Sequence, residues 1–229
     1  MPLTPVRHQS LEESVYEAVR DSIISGDLRP GDPLVEAQLS TDLGISKTPV
    51  REALIRLARD GLVVQELHRR SRVATPTADD VMQACEVRRW VESEIAAQAA
   101  RDASDELIDE LEDGIADSER ALRARDTRRW AEAIGAFTDT LVAHSGNRYA
   151  AELLERMRNV LSLIANVSQV APGRRERSIE EHRTILEAIR ARDPDAAAEA
   201  TRAHLRSIEA DSMRAIEEVS EQEAVGSKI

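Results

Sequence analysis

The 229-residue chain carries 31 Lys and Arg against 43 Asp and Glu, and Phe, Trp and Tyr together make up 2% of it. So few aromatics argue against a β-sandwich, while the Ala, Leu, Glu and Arg usage points to helices. There is no run of about 18 apolar residues to span a membrane, MPLTPVRHQS lacks the apolar stretch of a signal peptide, and the lone Cys85 has no partner for an intramolecular disulfide, which fits a reducing, cytoplasmic setting.

In chain order, residues 10–25 (SLEESVYEAVRDSIIS) set Leu11, Val15, Val19 and Ile23 at four-residue spacing, the stripe of an amphipathic helix. GDLRPGD reads as a turn. A short second helix begins around Val35 and Leu39 and ends near Gly44, and a third opens at 47–49 and runs to about Asp60, stopping at Gly61. Two β-prone pieces, 62–65 and 72–74, flank the basic LHRRS as a two-stranded wing. After the TPT break, Thr77 caps the first of six predicted helices: 78–102, 105–124, 127–145, 148–170, 175–192 and 195–219, with a frayed tail from 221. The reading is a mainly α protein in two domains, 1–76 and 77–229. Charge divides along the same line: ten Lys and Arg stand against eleven Asp and Glu in residues 1–76, and the acidic excess lies almost wholly beyond them.

Two helices joined by a glycine-containing turn and followed by a wing form a winged helix-turn-helix, whose second helix packs by one side and reads the major groove with the other. On residues 47–57, Val50, Ala53, Leu54 and Leu57 share one face, and Lys47, Thr48, Arg51 and Ile55 the opposite one. Ser46 and Thr48 hydroxyls beside free helix-start amides suit phosphate oxygens, and Lys47 and Arg51 reach phosphates or guanine edges. Arg69 and Arg70 in the wing add cations for the same double-stranded operator DNA. A single recognition helix reads few base pairs, so a homodimer on an inverted repeat is expected.

GDLRPGDPLVEAQLSTDLGISKTPVREALIRLARDGLV resembles the N-terminal domain of GntR-family bacterial transcription factors, over about residues 10–75. That resemblance implies DNA contacts at Ser46, Lys47, Thr48 and Arg51. The chain departs from the pattern at Ala37, where many members carry Arg, and at Arg70, where the wing usually has glycine.

EVRRWVESEIAAQAA, AFTDTLVAHSGN and SIEEHRTILEAIRARDPDAAAEATRAHL resemble the FCD-type ligand domain of the FadR-like subgroup, over about residues 78–210. The resemblance implies an antiparallel helical bundle around a pocket and, in many members, a divalent metal held by one Asp and three His. The positions matching those ligands are Ile134, Thr138, His182 and His204, so two of the four donors are missing. Two histidines make a weak divalent site, and His144 lies off the face shared by Ile134 and Thr138. No metal or other cofactor is therefore expected. Instead Thr138, His182, His204 and Arg88 are read as effector contacts, with the Arg88 fork suited to a carboxylate. Asn147 reads as a helix cap and Cys85 as packing.

The sequence thus points to a ligand-responsive transcriptional regulator, a repressor released by a small organic acid. The alternative is a DNA-binding regulator with a degenerate pocket and no small-molecule input. An enzyme built on His182 and His204 finds no paired carboxylates with a third ligand, no Ser/His/Asp set and no phosphate-cradling glycine loop.

Overall fold

Ser10 starts the first helix, α1 (Leu11–Ile24), by accepting the Glu13 amide on its side chain. The computed structural model describes residues 10–66, 70–169 and 171–226. The chain divides into two compact units, Met1–Thr75 and Pro76–Ile229.

In the first unit α1 buries Val15, Tyr16, Val19 and Ile23. Leu11, assigned to that stripe by its spacing, is 59% exposed instead; as the first helical residue it lies a full turn ahead of the buried positions. Tyr16 takes its place in the core. Its hydroxyl donates to Asp60 at 2.7 Å, and the Arg56 guanidinium lies 3.9 Å from its ring centroid. The short α2 (Glu36–Asp42) leads through Gly44, at φ +66°, into α3 (Lys47–Arg59). Val50, Ala53, Leu54 and Leu57 bury the inner face of α3. Gly61, at φ +77°, turns the chain out of the helix.

The wing strands β2 (Val63–Glu66) and β3 (Arg70–Val73) pair antiparallel, with Val63 opposite Val73. A third strand was not anticipated. β1 (Pro33–Leu34) pairs with the other edge of β3, giving the order β1-β3-β2. Proline tolerates this edge position, and Leu34 is buried.

The second unit is all helix: α4 (Ala78–Asp102), α5 (Asp105–Ala124), α6 (Thr127–His144), α7 (Arg148–Ser168), α8 (Arg174–Arg190) and α9 (Pro194–Gly226). Its helix starts carry their own signals. Thr77 and Asp80 form a reciprocal capping box. Ser104, Asp126 and Asn147 accept first-turn amides of α5, α6 and α7. The tail expected to fray from 221 continues as helix to Gly226.

Two apolar clusters fill this unit. One joins Ile95, Ala99, Leu111, Phe137, Leu141 and Ile189 across α4, α5, α6 and α8. The other joins Val81, Cys85, Ile164, Leu205 and Ile208 across α4, α7 and α9. Burial pushes the Cys85 thiol pKa up, consistent with a packing role. Between the clusters α4 carries Arg88 and Glu92, and α9 carries Thr201 and His204. A buried polar belt therefore separates two oily layers, and the candidate cavity lies in it.

Candidate nucleic-acid interface and effector cavity

Ser46, Lys47, Thr48 and Arg51 are all exposed on α3, on the side opposite its buried stripe. Ser46 is the N-cap residue and among the described residues makes no side-chain cap bond, so its hydroxyl does not take up the first amides of the helix. Arg51 is held from α2. Its Nε and Nη2 donate to the two carboxylate oxygens of Glu36 at 3.1 and 2.9 Å. This edge-on grip leaves the Nη1/Nη2 end of the fork to project, and the hydrogen bond and charge of Glu36 raise the guanidinium pKa further. Sequence reasoning missed Glu36, having looked in α2 only for a cation at Ala37. In the wing, Arg69 lies outside the described residues. Arg70 opens β3 opposite Glu66. Arg72, further along β3, is half-buried and donates to the Gly31 carbonyl at 3.2 Å.

The cavity of the second unit is lined by Glu92, Phe137, Thr138, His182, Thr201 and His204, among others, and its volume is about 10 Å³, room for roughly one water. α6 contributes Thr138, α8 contributes His182 and α9 contributes His204, so three of the four predicted effector residues come together. Arg88 does not line it. The guanidinium is folded back along α4 onto Glu92, Nε to Oε1 at 2.5 Å and Nη2 to Oε2 at 3.1 Å. Burial opposes its charge, but Glu92 more than offsets this and raises the Arg88 pKa. The expected carboxylate fork is thus occupied by a carboxylate of the chain itself. The i,i+4 spacing of Arg88 and Glu92 was the signal that could have revealed this.

His182 is 3% exposed. Its ring stacks on Phe137 at 4.2 Å between centroids and tilts against His204 at 4.8 Å. Burial, then the charges of His204, Arg174 and Arg88, hold its pKa well below the usual histidine value, so the imidazole is neutral near pH 7. Its Nδ1 is buried and has no hydrogen-bond partner among the described residues. Burial also lowers the pKa of His204, despite the opposing effect of Glu181. Its Nδ1 lies 2.6 Å from Glu181 Oε2. A carboxylate there accepts the Nδ1–H of neutral His204, which leaves Nε2 as a lone-pair acceptor.

Glu181 is braced in turn by Arg174, whose Nη1 and Nη2 donate to its two oxygens at 3.0 and 2.7 Å. Burial would raise the Glu181 pKa, but the bonds from His204 and Arg174 prevail and lower it to about 2. Arg174 is only 1% exposed. It also donates to Ser207 at 2.6 Å and lies 3.6 Å from Asp211, tying α8 to α9 behind the cavity.

The metal that the FCD resemblance implies does not fit these donors. Thr138 and the half-buried Ile134 replace two ligands, and His204 Nδ1 is committed to Glu181. Among the described residues no group of three or more His, Cys, Asp or Glu is placed to hold an ion. Exposed His144 does not substitute.

The family model for the FCD domain matches residues 83–207, and that for bacterial regulatory proteins of the gntR family matches residues 11–75. The chain is a GntR-family transcriptional regulator with an FCD domain. Its relatives include the HTH-type transcriptional repressor RspR of Escherichia coli (strain K12), 27% identical over 91% of both chains. The probable D-xylose utilization operon transcriptional repressor of Paenarthrobacter nicotinovorans is 30% identical over 84% of this chain and 86% of its own. The crystal structure of a GntR transcriptional regulator from Rhodococcus sp. RHA1 matches with a TM-score of 0.75 at 26% identity, covering 88% of this chain and 97% of that one. McbR/YncC of E. coli shares the fold, with a TM-score of 0.71 at 21% identity over 90% and 98% of the two chains. This GntR regulator therefore pairs an operator-binding domain with an effector-binding one and is not an enzyme. No helix among its described residues is long and apolar enough to cross a membrane.

Proposed function

We propose that this regulator is a cytoplasmic repressor that grips operator DNA as a homodimer and releases it when a small molecule enters the cavity between α6, α8 and α9. Ser46, Lys47, Thr48 and Arg51 read the DNA, with the wing arginines Arg69 and Arg70 on phosphates. Thr138, His182 and His204 meet the effector. The observation that carries the effector reading is the buried, unpartnered Nδ1 of His182 at the cavity, since a polar atom shut away from water is stabilised by any ligand that satisfies it. Repression is supported by the names of the two curated relatives. The dimer rests on the need for two half-sites and on Trp90, which α4 leaves 66% exposed. To test this, DNA would be selected from a random-sequence pool with purified protein, and the selected duplex followed by fluorescence anisotropy during a metabolite screen. The expected result is an inverted repeat and at least one compound that releases it. A non-palindromic site, or unchanged binding across a broad screen, would refute the proposal.

A further inference from the structure

The polar groups around the cavity are mostly hydrogen-bond acceptors. His204 offers Nε2 as a lone pair because its Nδ1 faces Glu181 at 2.6 Å. Thr201 gives its own proton to the Ala197 carbonyl at 2.9 Å and so presents only lone pairs. Glu92 brings a carboxylate, shared with Arg88 and 6% exposed. Thr138 and the open Nδ1 of His182 can pair in either sense. Among the described residues no unengaged cation lines the space.

An effector carboxylate supplies acceptors only. It would meet Glu92 and the His204 lone pair in a desolvated setting, with both cations behind the wall already engaged: Arg88 by Glu92, and Arg174 by Glu181 and Asp211. An ammonium would satisfy the acceptors, but it would lose its hydration shell beside those same two guanidinium groups. A hydroxyl donates and accepts through one atom, so it pairs with Glu92, His204 and Thr201 as donor and with His182 in either tautomer.

We infer that the effector of this cavity is a small neutral polyol or sugar, bound without a metal through its hydroxyl groups to Glu92, His204, His182 and Thr201 when the lining side chains part from the roughly one-water space they enclose here. The inference rests on the effector-responsive reading above and narrows it to one ligand class. Glu181 and Arg174 are positioning residues in this account, because they hold His204 in the accepting tautomer.

Titration calorimetry on the intact protein can separate the ligand classes. The probes are three neutral compounds (glycerol, erythritol and ribitol), their acids of equal carbon number (D-glycerate, D-erythronate and D-ribonate), and the amine 2-amino-1,3-propanediol. At least one neutral member should bind more tightly than its acid and than the amine. Glu92→Gln should weaken that binding about tenfold, the loss of one charge-assisted hydrogen bond. Thr201→Val, which keeps the Arg88–Glu92 pair, should weaken it too and remains informative if Glu92→Gln fails to fold. Tighter binding of an acid, particularly if strengthened by Glu92→Gln, would overturn the assignment, as would preference for the amine. Binding by none of the seven would also overturn it, while the metabolite screen on DNA release decides separately whether there is an effector at all.

Discussion

Replacing Arg174 by Met would remove the cation that joins α8 to α9 while keeping much of its apolar stem. Arg174 is 1% exposed and its guanidinium donates to Glu181 twice and to Ser207 once. Asp211, 2% exposed, would keep Arg177 and Arg214, so the uncompensated charge would fall mainly on Glu181. Removing one partner of a buried pair costs about 3–5 kcal/mol, and for a unit of this size each kcal/mol lowers the melting point by roughly 2–4 °C. A drop on the order of 10 °C is expected. The acid limb carries a second signature. Glu181, brought down to about 2 in the fold from an ordinary 4.5, contributes stability that is complete above about pH 4.5 and is lost as pH falls toward 2, amounting to about 3 kcal/mol. Arg174→Met should flatten that limb, and adding Glu181→Gln should restore part of the lost melting temperature by removing the stranded charge. Urea and thermal melts between pH 3 and 7 on the three proteins would measure both effects. A loss below about 1 kcal/mol, with an unchanged acid limb, would refute the view that this network is buried and tightly coupled.

Arg51→Ala should cost ~1–3 kcal/mol of specific DNA binding per half-site with circular dichroism unchanged; wild-type affinity in anisotropy titrations would rule out its reading role. His182 and His204 have lowered pKa values in the fold, so below pH 6.5 the unfolded chain binds more protons. Stability should fall by up to about 1.4 kcal/mol per histidine for each pH unit until the folded-state pKa is passed, and pH-dependent urea midpoints that stay flat between 6.5 and 5 would contradict this. Chelator should leave the melting temperature within about 1 °C, and elemental analysis should give well under one metal per chain; a stoichiometric metal with a large chelator effect would mean that a ligand set had been overlooked.

Much of this architecture is written in short-range signals. Thr77, Ser104, Asp126 and Asn147 mark helix starts because each side chain bonds amides two or three residues ahead, a local act. The two faces of α3 follow from spacing alone. Thr138, His182 and His204 could be brought together only through the family resemblance, since nothing local relates positions 138 and 204. The least legible features depend on tertiary surroundings. Strand β1 is two residues long and is defined by its pairing with β3. Arg174 sits in the charged run GRRERS, and charged runs are normally solvated; its burial arises because Glu181, Ser207 and Asp211 converge on it from two helices. Arg88 was assigned to a ligand although Glu92, four residues on, was the nearer partner.

The exchange of metal-type ligands for Ile134 and Thr138 also changes what the regulator would report. A sensor that holds its effector through a bound ion behaves as a two-input gate, because occupancy requires effector and metal together. With two imidazoles, a carboxylate and hydroxyls as the polar wall among the described residues, occupancy would depend on one concentration by simple mass action. Promoters under such control would follow the effector through metal starvation or excess alike, insulated from the cell's inorganic chemistry by one aliphatic side chain and one hydroxyl on α6.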